Sequence, residues 1–150
     1  MLKGIPAIIS PELLKILMEM GHGDEIIIAD GNFPGASLAN KLVRLDGHSG
    51  PEVLEAVLKL LPLDTYTDNF VLMEKMECDK AMDIPVWKDY ERIAAAGDKG
   101  FSKMTHIDRF EFYERAKKAY AIIATSETAQ YANILLKKGL VLEKLPADAG

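Results

Sequence analysis

Residues 19–34 read EMGHGDEIIIADGNFP: a histidine between two glycines, a short apolar run, then an aspartate that opens a glycine-containing loop. The run Ile26–Ala29 is β-branched and bounded by polar residues, the pattern of a strand covered on both faces as in a sheet packed between helices. Such a strand delivers Asp30 at its C-terminal end, facing a loop. The glycines around His22 leave the backbone free and the imidazole with little side-chain cover, which suits a cleft better than a core.

Upstream, Ser10-Pro11-Glu12 opens a helix: the serine oxygen caps free backbone N–H groups, proline suits the first turn and Glu12 complements the dipole. Leu13, Leu14, Leu17 and Met20 recur at helical spacing and Gly21 supplies the stop, so His22 falls just past a helix end. Downstream, residues 51–61 (PEVLEAVLKLL) form an amphipathic helix, followed by a turn over Pro62–Tyr66 that carries Asp64 and a strand over Phe70–Met76. Val86–Ala96 reads as a helix with Trp87 and Tyr90, and Lys99–Thr105 as a looser connection with a strand at its end. Asp108 and Glu111 have capping-box spacing for a helix that begins at Arg109. Tyr120–Thr125 (YAIIAT) and Ala132–Lys137 are strand candidates, and the final LPADAG has the look of a frayed tail. This alternation predicts an α/β fold in which helices and strands build one compact domain around a mostly parallel sheet.

Composition agrees. The 150 residues are 49% apolar and 27% charged, the balance of one globular domain spanning 1–150. The net charge of −5, with both signs interspersed, argues against nucleic acid, whose binders cluster Lys and Arg. Cys78 is the one cysteine, so it makes neither an internal disulfide nor a cysteine-based zinc cluster, and a reducing compartment fits. The N-terminus lacks the apolar core of a signal peptide and no run approaches the roughly 20 apolar residues of a membrane span, so no membrane partner and a cytoplasmic location are expected.

Four polar residues stand out: His22, Asp30, Asp64 and Arg109. Open α/β sheets keep their ligands beyond the C-terminal ends of strands, which is where the alternation places candidate chemistry. Each also has an ordinary explanation. A lone histidine is more often a surface or structural residue, and aspartates after strands and in turns accept from backbone N–H groups two residues on. Arg109 in a helix first turn opposes the dipole, which calls for another partner, and a surface salt bridge would suffice. His48 and His106 have no assigned role. The chain has no P-loop, no dinucleotide glycine pattern, no H-E-x-x-H and no G-x-S-x-G. Phe110 and Tyr113, at helical spacing, read as core before they read as sugar-stacking faces.

The segments ISPELLKILMEMGHGDEIIIAD, NFP, RLDG, LLPLDTY, PVWKDYERI, IDRFEFYERAKKAYAIIATSE and QYANILLKKG together resemble the family that joins the L-fucose mutarotases with the D-ribose pyranases, on the fucose side. The likeness spans nearly the whole chain in ordered blocks. It implies an isomerase of the racemase and epimerase class that interconverts the α and β anomers of free L-fucose in monosaccharide metabolism, with no cofactor and no metal. It also implies a ring-like homodecamer whose sites are completed by a neighbouring subunit. Carried over position by position, His22 matches the catalytic histidine and Asp30 the substrate-binding aspartate. Arg109 matches the sugar-binding arginine, and Tyr131, Ala132 and Asn133 the Tyr-x-Asn segment. Asp64 matches an aspartate implicated in the animal branch.

Mutarotation removes the anomeric hydroxyl proton, protonates the ring oxygen, and recloses the ring on its other face. A histidine with its ordinary pKa near 6.5 gives and retakes a proton near neutrality. His22 is thus the expected acid at the ring oxygen, Asp64 the first candidate base, and Asp30 a group that holds substrate or orients His22. Arg109 and Asn133 would fix hydroxyls, and Tyr131 offers a ring face and a hydroxyl. Rival readings are another monosaccharide mutarotase such as a D-ribose pyranase, a non-catalytic sugar-binding oligomer, and a metal-dependent hydrolase that uses His22, His106 and the aspartates as ligands.

Overall fold

The computed structural model describes residues 1–142. Six strands form one sheet: β1 Glu25–Ala29, β2 Leu42–Leu45, β3 Phe70–Met73, β4 Thr105–Ile107, β5 Ala121–Thr125 and β6 Ile134–Lys137, in the order β2-β5-β1-β6-β3-β4. The β1/β5, β2/β5 and β3/β4 pairs are parallel, and β6 runs antiparallel to both β1 and β3. Five strands therefore point one way and β6 alone points back. This mostly parallel sheet is the α/β architecture that the alternation predicts.

The side-chain period of two sorts each central strand between two layers. Ile26 and Ile28 of β1, Phe70 and Leu72 of β3, Ile123 of β5, and Ile134 and Leu136 of β6 join one buried cluster with helices α1 Pro11–Glu19, α3 Gly50–Leu58 and α4 Pro85–Gly97. Ile27 and Ala29, Val71 and Met73, Ile122 and Leu135 point the other way, onto Phe112, Ala116 and Ala119 of and just after helix α5 Arg109–Lys118. A short helix, α2 Gly35–Leu38, lies on that second face. Ile26, Ile27 and Ile28 are fully buried, each worth about 1.5–3 kcal/mol relative to exposure, which is why the quoted stretch fixes the centre of the sheet.

The helix starts follow the expected chemistry. Ser10 accepts from Leu13 N–H at 3.1 Å, and Asp108 from Glu111 N–H at 2.9 Å. The full reciprocal box is found instead at Ser49 and Glu52, ahead of α3. Several boundaries differ. Helix α3 stops at Leu58, short of Leu61, as the chain turns toward Pro62. Strand β3 ends at Met73, where Lys75 folds back to donate to Lys80 O and Met82 O and closes a loop with a 3₁₀ turn over Glu77–Asp79. Strand β2 and helix α2 were not anticipated; both are four residues long, too short for a periodic signal. The LPADAG tail lies outside the described residues. No helix among the described residues is long and apolar enough to cross a membrane.

Candidate active site

The strand directions divide the predicted site residues between two edges of the sheet. His22 precedes β1 and Asp64 precedes β3, so both stand at the N-terminal edge. Asp30 follows β1, Arg109 follows β4, and Tyr131–Asn133 lead into the reversed β6, all at the C-terminal edge. The expectation that all four singled-out residues gather beyond the strand C-termini is therefore corrected for His22 and Asp64. From Asp24 to Asp30 the extended chain spans roughly 20 Å at about 3.3 Å per residue.

At the N-terminal edge His22 Nε2 lies 3.0 Å from Asp64 Oδ1. The turn that presents His22 is tightly pinned. Gly21 N–H donates to Asp24 Oδ2 at 2.7 Å, Gly23 N–H to Lys138 O at 2.8 Å, and Gly23 has φ +90°, a conformation that favours glycine. Lys138 Nζ also donates to Leu17 O and Met20 O, closing the C-terminal end of α1. Asp64 is only 3% exposed. Its N–H donates to Lys137 O, its side chain accepts from Tyr66 N–H at 3.2 Å and Thr67 Oγ1–H at 3.0 Å, and its carbonyl accepts from the buried Asn69 amide at 2.8 Å. Burial pushes the Asp64 carboxyl up, but the hydrogen bonds from His22, Tyr66 and Thr67 outweigh it and hold the group below the ordinary carboxylate range. Asp64 is thus an anion at neutral pH, and an anion only accepts. The neutral imidazole must donate from Nε2, which leaves the Nδ1 lone pair available. The His22 side chain is 41% exposed and Tyr66, 73% exposed, stands over it with ring centroids 5.5 Å apart.

At the C-terminal edge Asp30 N–H donates to Asn133 Oδ1 at 2.7 Å and Asp30 Oδ1 accepts from Asn32 N–H at 3.0 Å. Both side chains are buried, at 8% and 5% exposure. Burial dominates Asp30 and raises its pKa, against the lowering by N–H groups of Asn32, Phe33 and Ala132 and by the Asn133 amide. Tyr131 has φ +56°, uncommon for a bulky residue, and is held there from both ends. Its carbonyl accepts from Trp87 Nε1–H at 2.7 Å, while its hydroxyl donates to Asp79 Oδ2 at 2.6 Å and accepts from Met76 N–H at 3.2 Å. Ala132 is buried and contributes its carbonyl to the Tyr90 hydroxyl at 2.9 Å. The polar Asp30, Asp79, Tyr131 and Asn133 and the apolar or aromatic Phe33, Met73 and Tyr113 together line a cavity of about 290 Å³. That is the small end of ligand sites and matches a monosaccharide with both hydroxyls and an apolar edge. A larger hollow of about 620 Å³ beside Pro6, Ile8 and His48 has no buried polar group to orient a ligand.

Arg109 shares this edge but not the cavity. Its guanidinium sits 4.9 Å from the Phe110 ring centre, and no carboxylate among the described residues pairs with it. The surface salt bridge that would have sufficed to explain Arg109 is therefore not formed among the described residues. Phe110 is 70% exposed and packs no core, contrary to the helical-spacing reading, whereas Tyr113 lines the cavity. His106 packs at a tilt against Trp87, ring centroids 4.7 Å apart, while His22 pairs with Asp64, so the two histidines do not converge as a metal-dependent hydrolase would need. Among the described residues no group of three or more His, Cys, Asp or Glu side chains converges for a metal ion. Asp30 does not touch His22 within the chain; Asp64 is the residue that orients it. Sequence reading missed Asp79, Thr67 and Lys138, none of which stands in a periodic pattern.

The raised Asp30 pKa has a stability consequence. A carboxyl whose folded pKa exceeds its unfolded value opposes folding above that folded value, and the penalty vanishes below the ordinary range near 3.9. Asp30→Asn keeps an oxygen for Asn32 N–H and removes the buried charge. It is expected to raise the unfolding midpoint at pH 7 and to leave it unchanged at about pH 3, as thermal melts at the two pH values would show.

Residues 3–141 match the RbsD / FucU transport protein family. The fucose mutarotase of Homo sapiens is 51% identical over 146 residues, covering 93% of this chain and 94% of that protein. The crystal structure of the fucose mutarotase from Streptococcus pneumoniae in complex with L-fucose superposes with a TM-score of 0.86 at 50% identity, covering 94% of this chain and all of the other. FucU from Bifidobacterium longum gives 0.88 at 51% identity, over 93% of this chain and all of that one. The match over nearly the whole chain and the likeness in sequence and fold agree: the chain belongs to the RbsD / FucU family.

Proposed function

We propose that this chain is an L-fucose mutarotase, an isomerase that interconverts the α and β anomers of free L-fucose by acid–base ring opening and closure. The observation that carries the chemistry is the His22–Asp64 pair: an imidazole held at Nε2 by an ionised carboxylate and half-exposed on its remaining face. His22 Nδ1 exchanges the proton with the sugar. Asp64 orients the ring, since both of its oxygens are engaged and it is buried, which leaves little room for the base role expected of it. Asp30, its basicity increased by burial, binds a sugar hydroxyl and is the better acceptor for the anomeric proton. Asn133, Tyr131 and the Ala132 backbone shape the sugar cavity, and Arg109 stands on the same sheet edge, where it would fix a sugar hydroxyl.

Two half-sites roughly 20 Å apart cannot act on one sugar ring within one chain. A closed ring of subunits, as the family resemblance implies for a decamer, brings the His22 edge of one protomer to the Asp30 edge of the next. The exposed Tyr66 and Phe110 rings, one on each edge, support this arrangement. The chain of events needs no membrane or nucleic acid and fits a cytoplasmic enzyme of sugar metabolism.

The test is exchange NMR at anomeric equilibrium, with L-fucose, D-ribose and D-galactose in parallel. Saturation transfer between the L-fucose anomers above the buffer rate, with weaker transfer for the other sugars, is the expected result. Binding of L-fucose without any acceleration would sink the catalytic reading and leave a sugar-binding oligomer.

A further inference from the structure

Behind the His22–Asp64 pair lies a polar chain that the reaction as described does not use. Thr67 Oγ1–H donates to Asp64 Oδ2 at 3.0 Å, and Lys137 Nζ donates to Thr67 Oγ1 at 2.7 Å and to Asp68 Oδ1 at 3.2 Å. Lys137 Nζ also lies 3.7 Å from Glu25 Oε2, and Arg115 pairs with both Glu25 and Asp68, the latter at 3.0 Å. Two cations and two carboxylates thus form a neutral, part-buried cluster that Thr67 joins, side chain to side chain, to Asp64.

The direction of this chain is forced by donor chemistry. An ammonium group only donates, so Lys137 occupies an acceptor position on the Thr67 hydroxyl. The single hydroxyl hydrogen then points at Asp64 Oδ2 and cannot turn away to another acceptor without losing its partner. With Oδ2 taken by Thr67, and Oδ1 shared by Tyr66 N–H and His22, the carboxylate has one rotamer in which every acceptor is matched. The element supplying Lys137 is β6, and the same backbone segment supplies Lys138 O to Gly23 N–H and Lys137 O to Asp64 N–H. Both members of the catalytic pair are therefore registered against one strand end.

We infer that Thr67 and Lys137 are positioning residues that lock Asp64, and through it the Nε2–H tautomer of His22, so that Nδ1 is the nitrogen presented to the sugar. The inference rests on the mutarotase reading for its rate consequence, but its structural half is measurable without turnover. Thr67 is exposed and its replacement removes no core contact, so variants at this site will fold.

The experiment compares wild type, Thr67→Ser and Thr67→Val, each with ¹⁵N-histidine, at about pH 8.5, where an ordinary imidazole is neutral. The three histidine signals are assigned with the His22→Ala variant. The expected result is an Nε2–H pattern for His22 in wild type and Thr67→Ser, and a mixture of tautomers in Thr67→Val. Anomer exchange in Thr67→Val should fall roughly tenfold, the scale of one charge-assisted hydrogen bond, with KM unchanged and rate restored in Thr67→Ser. A wild-type ¹⁵N pattern in Thr67→Val would overturn the proposal. A changed pattern with an unchanged exchange rate would uphold the positioning chain and remove His22 from the mechanism.

Discussion

Replacing His22 with alanine is expected to remove most of the anomer exchange, by a factor of about 10²–10⁴, the contribution of one well-placed acid–base group. The argument starts from what the imidazole uniquely supplies. Ring opening and closure each move one proton to and from an oxygen, and the group that serves both directions must be stable in both forms near pH 7. Its partner does not meet that condition, because the hydrogen bonds around Asp64 hold that carboxylate ionised. Stability should change little. The His22 side chain is 41% exposed, so its removal opens no core cavity, and Asp64 keeps the Tyr66 N–H and Thr67 hydroxyl that satisfy its charge. The pair of measurements is saturation-transfer exchange of L-fucose and a chemical denaturation curve. Exchange at the wild-type rate in a folded variant would exclude His22 as the proton carrier. A variant that is both slow and unfolded would show that the His22 turn, pinned by Gly21, Gly23 and Lys138, needs the ring for its own structure.

How much of this was legible beforehand depends on the range of the interactions involved. The central strand could be read from residues 26–29 because burial on both faces leaves a continuous apolar run. The serine and aspartate caps at Ser10 and Asp108 are local hydrogen bonds over three residues, and both form, although at Asp108 the box that the spacing implies is only half made. Strand β2, two of whose four residues are exposed or half-buried, left no such trace. The larger miss was directional. His22 and Asp30 are eight residues apart and read as one constellation, yet a strand between them carries them to opposite edges, and nothing in a local pattern states which way β6 or β3 will run. The Asp64 contact to His22 spans 42 residues and the Asn133 contact to Asp30 spans 103. Such pairs follow from sheet order, which depends on the whole chain. Resemblance to a family named the residues as one set, while the strand directions place that set at two opposite edges of the sheet.

That division carries the strongest prediction of all, because it turns two inactive proteins into one active mixture. His22→Ala removes the proton carrier and keeps the sugar cavity of Asp30, Tyr131 and Asn133. Asp30→Ala removes the carboxylate of that cavity and keeps the His22–Asp64 pair. Each assembly alone should exchange anomers at nearly the buffer rate. If sites form where the His22 edge of one protomer meets the Asp30 edge of its neighbour, then random co-assembly gives each interface about a one-in-four chance of joining an intact His22 to an intact Asp30, so roughly a quarter of wild-type activity should appear. Unfolding the two variants together and refolding them at equal concentration, with separately refolded proteins mixed afterwards as the control, provides the comparison. Recovery only on co-refolding requires that the sites be shared. No recovery, with mixed oligomers demonstrated by mass spectrometry, would mean that the two edges do not meet and that the proton carrier for Asp30-bound sugar lies elsewhere. The size of the recovery is informative as well. Activity near a quarter means that neighbouring sites act independently, whereas a much lower value means that one damaged interface distorts the next, a coupling that a ring of rigid sheets would transmit through β1, the strand that bears His22 at one end and Asp30 at the other.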